Sequence, residues 1–417
     1  MPEAPAWKFR KLLQELSPRR PVHAILAGRV LTGVGTEVIE DGYVRIEDGS
    51  ITAVSSNPDR SSPDGDGVQL IETGGTILPG LINSHAHLAW DGIHDLAAQS
   101  LDDPPEINAY KSAGNMLVCL RAGITTLRDL GMNKSNTFAK QAVEQGIVPG
   151  PRLLICGEAI TQTGGHTYWC CREATGTDEM RRAVREQVQH GADLIKIMMC
   201  HDMLEFTDEE LHALVDESHR QNRPITAHAT FDAAIARAAE FGIDMIEHGG
   251  RMSDATIELL VARNVPIVTT FSPVVMQSRP EVARRYDIPE WKIAERQAAV
   301  ADKSRYDGLV RAARAGVRIV FGTDAGSPAV GHETVVPEME FMVSVGVVKD
   351  EHAAIMSATR EAAVVNAIDD VVGTVEVGKE ADLIVVDGNP IDDLDALARV
   401  QMTFVRGSLM YSKGPLT

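Results

Sequence analysis

Thr76-Ile-Leu-Pro-Gly-Leu-Ile-Asn-Ser-His-Ala-His-Leu88 joins an apolar run to two histidines one residue apart. Ile77, Leu78, Leu81 and Ile82 have the apolar density of a buried strand. In a strand, positions two apart share a face, so His85 and His87 reach one point at the strand's C-terminal end. Neutral imidazole is a good ligand for zinc and similar ions, which makes the pair half of a metal site. Two solvated histidines at a strand end have the same pattern, so later strands must supply the remaining ligands.

Seven further strand-like runs follow: Gly123 to Asp129, Pro151 to Gly157, Ala192 to Met198, Pro224 to His228, Asp244 to His248, Val265 to Thr270 and Arg318 to Asp324. Between them lie helical patterns at Thr207 to Gln221, Phe231 to Phe241 and Ser253 to Arg263. Eight strands alternating with helices predict a (β/α)8 barrel in the α/β class rather than an open sheet. No G-x-G-x-x-G follows the first strand to suggest a dinucleotide fold. Active sites of such barrels form at the C-terminal strand ends. Lys196 lies in the fourth strand, His228 ends the fifth, Glu247-His248 the sixth and Asp324 the eighth. Singly, these are explained by a snorkelling lysine, core histidines and a helix cap in Thr323-Asp-Ala-Gly-Ser-Pro. At corresponding ends of different strands they predict a metal site.

The two ends of the chain read differently. Val22 to Ile77 consists of short β-like runs separated by Gly, Asp, Asn and Pro, with a polar surface loop from Asn57 to Gly67. The same texture returns at Gly373 to Asp387 and Val400 to Tyr411. A small composite β-sandwich domain built from both termini, residues 22–78 with 370–417, is expected beside a barrel over 79–369. Residues 1–21, with Trp7, Phe9, Leu12, Leu13 and Leu16 at helical spacing, read as an amphipathic extension that packs on its own domain or on a neighbouring subunit.

The 417 residues are 44% hydrophobic and 24% charged, an ordinary globular balance, and the net charge of -19 argues against nucleic acid as a partner. Five cysteines without a C-x-x-C pair indicate neither a disulfide framework nor a zinc ribbon. A reducing interior suits them. No run has the length of a membrane span, and no signal-peptide core is visible, so neither membrane nor export is expected and the cytoplasm is the expected location.

The chain resembles the amidohydrolase superfamily from residue 22 to 412. The resemblance rests on P-G-L-I-N-S-H-A-H, Lys196, the two later histidines, G-T-D-A-G at the last strand and G-x-V-x-x-G-K-x-A-D-L at Gly373 to Leu383. Within the superfamily it is similar to the prolidase and imidazolonepropionase-like branch, some of whose members cleave dipeptides or N-acyl amino acids and others synthetic amides, carbamates or ureas, which implies hydrolysis of an amide-type C-N bond in a small molecule, and a homo-oligomer. The resemblance also implies that Lys196 is carboxylated and bridges two divalent metals. His85, His87 and Asp324 would hold the first ion and His228 and His248 the second. Zinc is the default, with cobalt or manganese compatible with the ligands. Asp324 would take a proton from a metal-activated water and pass it to the leaving nitrogen, a role that requires its own metal contact to be weak.

Specificity is expected from the loops. Thr161-Gln-Thr-Gly-Gly-His-Thr-Tyr-Trp169 places His166, which resembles the branch's G-G-H, at the substrate, with Tyr168 as an apolar wall. Peptide-cleaving relatives usually carry H-A-Y at the fifth strand, with the Tyr on the substrate carboxylate. Here the text is His228-Ala-Thr230, and Thr lacks the reach. The Met- and Phe-containing loop after Lys196 makes a soft surface, with His201 at its rim. These departures favour a less charged amide, carbamate or urea over a dipeptide. Two alternatives are a deaminase or cyclic-imide hydrolase, which would bind one metal without the lysine, and a non-catalytic scaffold, which would have lost ligands.

Overall fold

Seventeen strands are described in this computed structural model, which covers residues 21–56 and 68–414. The extension expected over residues 1–21, Pro21 apart, and the expected 57–67 loop lie outside them. In chain order the first four strands are β1 (Ala24–Leu31), β2 (Val38–Glu47), β3 (Ser50–Ser56) and β4 (Gln69–Pro79). Next come β5 (Leu81–Ala86), β6 (Ile124–Asp129), β7 (Arg152–Ile155), β8 (Ile160–Gln162) and β9 (Arg172–Ala174). They are followed by β10 (Ile195–Met198), β11 (Ile225–Phe231), β12 (Met245–Arg251), β13 (Ile267–Thr269) and β14 (Ile319–Phe321). The last three are β15 (Leu383–Val386), β16 (Val400–Val405) and β17 (Ser408–Ser412).

The terminal strands form one sheet in the order β17-β16-β15-β4-β1-β2-β3. Its centre is the antiparallel pairing of β4 with β15, Ile77 opposite Val385 and Leu78 opposite Ile384. Leu26, Val44, Ile46, Ile77, Leu383, Val385 and Phe404 make a shared core. Residues from both ends of the chain thus bury one another, and neither end has a complete apolar face alone.

The barrel consists of two parallel arcs, β5-β6-β7 and β14-β13-β12-β11-β10, the second extended by β8 and β9. The arcs meet where Ala86 bridges Ala325 and His87 N–H donates to Ala325 O at 2.8 Å. On the other side Asp193 N–H donates to Ile155 O at 2.8 Å. Eight strands therefore form the ring, and β8 and β9 belong to the excursion after β7. The expected helices are present with local causes. Thr207 and Glu210 cap Asp208–Arg220 reciprocally, and the Ser253 side chain caps Asp254–Arg263. After β13 the chain makes a long helical excursion through Ser272–Gln277, Glu290–Ala301 and Asp307–Ala315. Phe271, Tyr306 and Phe341 lock that excursion to the barrel, with edge-on ring contacts at 5.2 to 5.3 Å. No helix among the described residues is long and apolar enough to cross a membrane.

Candidate metal centre

His85 and His87 lie at the C-terminal end of β5, and their Nε2 atoms face Asp324 Oδ1 at 3.5 and 3.1 Å. The His248 ring, from β12, lies tilted at 4.7 Å from that of His85, and His228, from β11, lies 4.5 Å from His248. Ligand atoms of His85, His248 and Asp324 all fall within 4.8 Å of one another. Lys196, in β10, is 1% exposed. Burial lowers its ammonium pKa, and Glu247 and Asp324 oppose that shift without reversing it. The structure thus gathers the histidines and Asp324 at the strand ends, with buried Lys196 in the adjoining strand.

The tautomers are assigned by the outer partners. His87 Nδ1 donates to Gly131 O at 2.5 Å, and His85 Nδ1 meets Glu247 Oε2 at 2.7 Å. His248 Nδ1 lies 2.6 Å from Thr270 Oγ1. Burial lowers the His85 pKa to about 4 against the pull of Glu247, so this imidazole is neutral near pH 7. Its one proton sits on Nδ1, and its Nε2 lone pair points at an Asp324 oxygen. Burial by itself would raise the Asp324 carboxyl, but the contact with His87 Nε2 and the surrounding histidines hold it well below the usual range. An acceptor therefore faces an acceptor at 3.5 Å, an arrangement that a cation between them resolves.

Strain is concentrated at the same place. His248 and Asp324, both non-glycine, take left-handed backbone with φ of 73° and 56°. Such conformations cost energy and persist where the surroundings over-determine them. Around Asp324 those surroundings are explicit. Its N–H donates to His85 O at 2.8 Å, while Asn83 donates to Thr323 Oγ1 at 2.7 Å.

His166 comes within 4.6 Å of the His228 ring and stacks on His201, also at 4.6 Å. Burial lowers its pKa to about 4, and His201 and Lys196 add to the shift. Glu205 holds this loop, accepting from His166 N–H at 2.6 Å and from Thr161 Oγ1 at 2.9 Å. Thr230 lines a cavity of about 690 Å³ together with Phe231, His248, Phe271, Tyr306 and Leu309. Neither His166 nor Tyr168 lines that cavity; Tyr168 lies on a short helical turn and is 54% exposed, while neighbouring Trp169 packs on Trp90.

Sequence reasoning noted Glu247 only as a strand-end residue and passed over Arg128. Arg128 Nη2 donates to Glu247 Oε1 at 2.6 Å, fully inside the barrel. Each is a charge within an apolar strand, which signals a buried partner without saying which one.

The sequence profile described as the amidohydrolase family matches residues 76–410. Ochratoxinase of Aspergillus niger is 28% identical over 425 residues, covering 92% of this chain and 85% of that protein. The solved structure of a prolidase complexed with N-methylphosphonate-L-proline superposes with a TM-score of 0.80 at 29% identity, covering 94% of this chain and 100% of the other. A Xaa-Pro dipeptidase with bound methionine gives 0.80 at 28% identity, with 93% and 99% covered.

Proposed function

The chain belongs to the amidohydrolase family and is a hydrolase of carbon–nitrogen bonds, and from that premise we propose that it cleaves an amide-type bond at a centre of two divalent ions. The observation that carries the metal is the bare His85 Nε2 facing the Asp324 carboxylate, each buried and neither with a proton to share. His85, His87 and Asp324 would hold one ion and His228 and His248 the other. Lys196 would serve both as a carbamate. Its depressed pKa favours the neutral amine, the form that adds carbon dioxide and releases a proton to become an anionic oxygen donor. The donor set suits zinc first, and cobalt or manganese next.

When bound, such ions acidify a water and polarise the scissile carbonyl. Asp324, ionised and at the end of β14, accepts the proton of the attacking water and passes it to the leaving nitrogen. His166, held by Glu205, stands beside His228 and donates to the substrate's carbonyl side, and Thr230 lines the cavity that receives the rest. The relatives named ochratoxinase, prolidase and Xaa-Pro dipeptidase support an amide-type bond in a small molecule.

Metal analysis and turnover together test this reading. Metal-replete protein is expected to hold two ions per chain, with a carbamate carbon at Lys196 visible by 13C NMR. Asp324→Asn is expected to keep the fold and most of the metal while kcat falls at least about 100-fold. Near wild-type turnover in that variant would overturn the mechanism. One ion with unmodified Lys196 would favour a deaminase or cyclic-imide hydrolase.

A further inference from the structure

The chain leaving β14 returns to brace the end of β13. Glu338 lies in the first turn of helix Val336–Val345 and is wholly buried. Its Oε1 accepts from Phe271 N–H at 2.8 Å, and its Oε2 accepts from Ser272 N–H at 2.5 Å and from Ser272 Oγ at 2.6 Å. All three donors belong to one dipeptide. Among the described residues no cationic group lies within 4.0 Å of this carboxylate. Burial raises the carboxyl to about 7 against the three hydrogen bonds. A buried acid without a counter-charge costs free energy that an apolar side chain of the same size does not. An apolar side chain could fill the space, whereas only an acceptor can fix those two N–H groups.

Phe271 and Ser272 follow directly on Thr270, the residue after β13. Thr270 Oγ1 lies 2.6 Å from His248 Nδ1 and is the one hydrogen-bond partner of that ring among the described residues. The His248 backbone is in the left-handed region, with φ of 73°, so regular strand geometry does not by itself aim the ring. The Thr270 hydroxyl does. It occupies Nδ1 and leaves Nε2 as the nitrogen available to an ion.

We propose that Glu338 is a positioning residue for His248. It fixes Phe271 and Ser272, and through them holds the Thr270 hydroxyl against Nδ1, so that Nε2 serves the second ion. The inference rests on the reading of His248 as a metal ligand. It deepens that reading by linking the ends of the seventh and eighth barrel strands. The segment that carries Asp324 also carries, fourteen residues on, the acid that aims His248.

The test is zinc binding to the full-length protein, measured by competition with a chromophoric chelator, with circular dichroism to monitor the fold. The wild type is compared with Glu338→Gln, Thr270→Val, Thr270→Ser and the double variant that combines Glu338→Gln with Thr270→Val. Glu338→Gln keeps the shape but sets an amide NH2 against a donor. Glu338→Gln and Thr270→Val are each expected to weaken the more loosely held zinc roughly tenfold, and Thr270→Ser to bind as the wild type does. The double variant should be about as weak as Thr270→Val alone, because both changes act through one hydroxyl. Wild-type affinity in Glu338→Gln overturns the proposal, as do losses that multiply in the double variant, the result that general loosening of the fold gives. If Glu338→Gln does not fold, Ser272→Ala removes one donor and keeps the carboxylate. It is expected to weaken the same zinc several-fold, roughly in proportion to the one bond lost, and unchanged affinity there overturns the proposal. Wild-type protein that takes up no zinc would refute the metal reading and this role with it. Zinc uptake by the wild type with every variant unaffected would refute the role of Glu338 alone.

Discussion

Glu247 has three partners at once, and the proposed metal site depends on two of them, His85 and Arg128. One oxygen orients His85 through Nδ1, and the other accepts from Arg128 at 2.6 Å and from Thr226 Oγ1 at 2.5 Å. Burial would raise this carboxyl, but Arg128 and His85 outweigh burial and keep it ionised well below the usual range. Glu247→Gln keeps the shape and removes the charge. It is expected to weaken metal binding roughly 10- to 100-fold, as loss of an orienting partner does. It should also lower stability by about 3 kcal/mol, because Arg128 is left buried without a counter-charge. Chelator competition and urea unfolding measure the two effects separately. Unchanged metal affinity would dissociate His85 orientation from the site. At this scale the histidines, Lys196 and Asp324 were legible from strand-end position alone. The Glu247–Arg128 pair was not, since its members lie more than a hundred residues apart.

Helix Thr177–Gln189 meets helix Asp208–Arg220 through Glu217, whose side chain is fully covered. Arg185 grips both its oxygens, at 2.8 and 2.9 Å, and Gln221 and Arg181 add to the set. The Arg185 hydrogen bonds bring the Glu217 pKa from 4.5 down to about 2, against the opposing effect of burial. A carboxyl depressed in the folded state contributes stability above its unfolded pKa and loses it as pH falls through the folded one. The contribution should be complete above pH 4.5 and vanish toward pH 2. Glu217→Gln is therefore expected to be less stable than wild type at pH 6, with the two unfolding curves converging as pH approaches 2. A gap that stays constant over that range would show that the packing of Glu217, not its charge, joins the helices. The helices themselves were readable from caps such as Thr207 with Glu210, but this seam was not, because helical periodicity marks a buried face without naming the helix opposite.

In the whole molecule the terminal sheet and the barrel join at Gly80, the single residue between β4 and β5. Its N–H donates to Asp382 O at 2.9 Å, and a Cβ here would stand 2.1 Å from Thr125 Oγ1 and 2.2 Å from Thr125 Cγ2. Gly80→Ala is expected to cost about 2 kcal/mol by overpacking, read as a lower thermal midpoint. An unchanged midpoint would mean that β4 and β6 can separate without loss.

Sequence alone pointed to the eight barrel strands, the (β/α)8 class, β segments at both termini, and the residues at the strand ends where His85, His87, His228, His248 and Asp324 converge. These follow from periodicity and chain order, which are local properties written along the chain. Tertiary structure alone decided that a bare imidazole nitrogen faces a carboxylate and that Arg128 and Glu247 pair beside it. Each of those facts is a distance between side chains from different strands and loops, set by barrel closure and packing, and no spacing along the sequence encodes it.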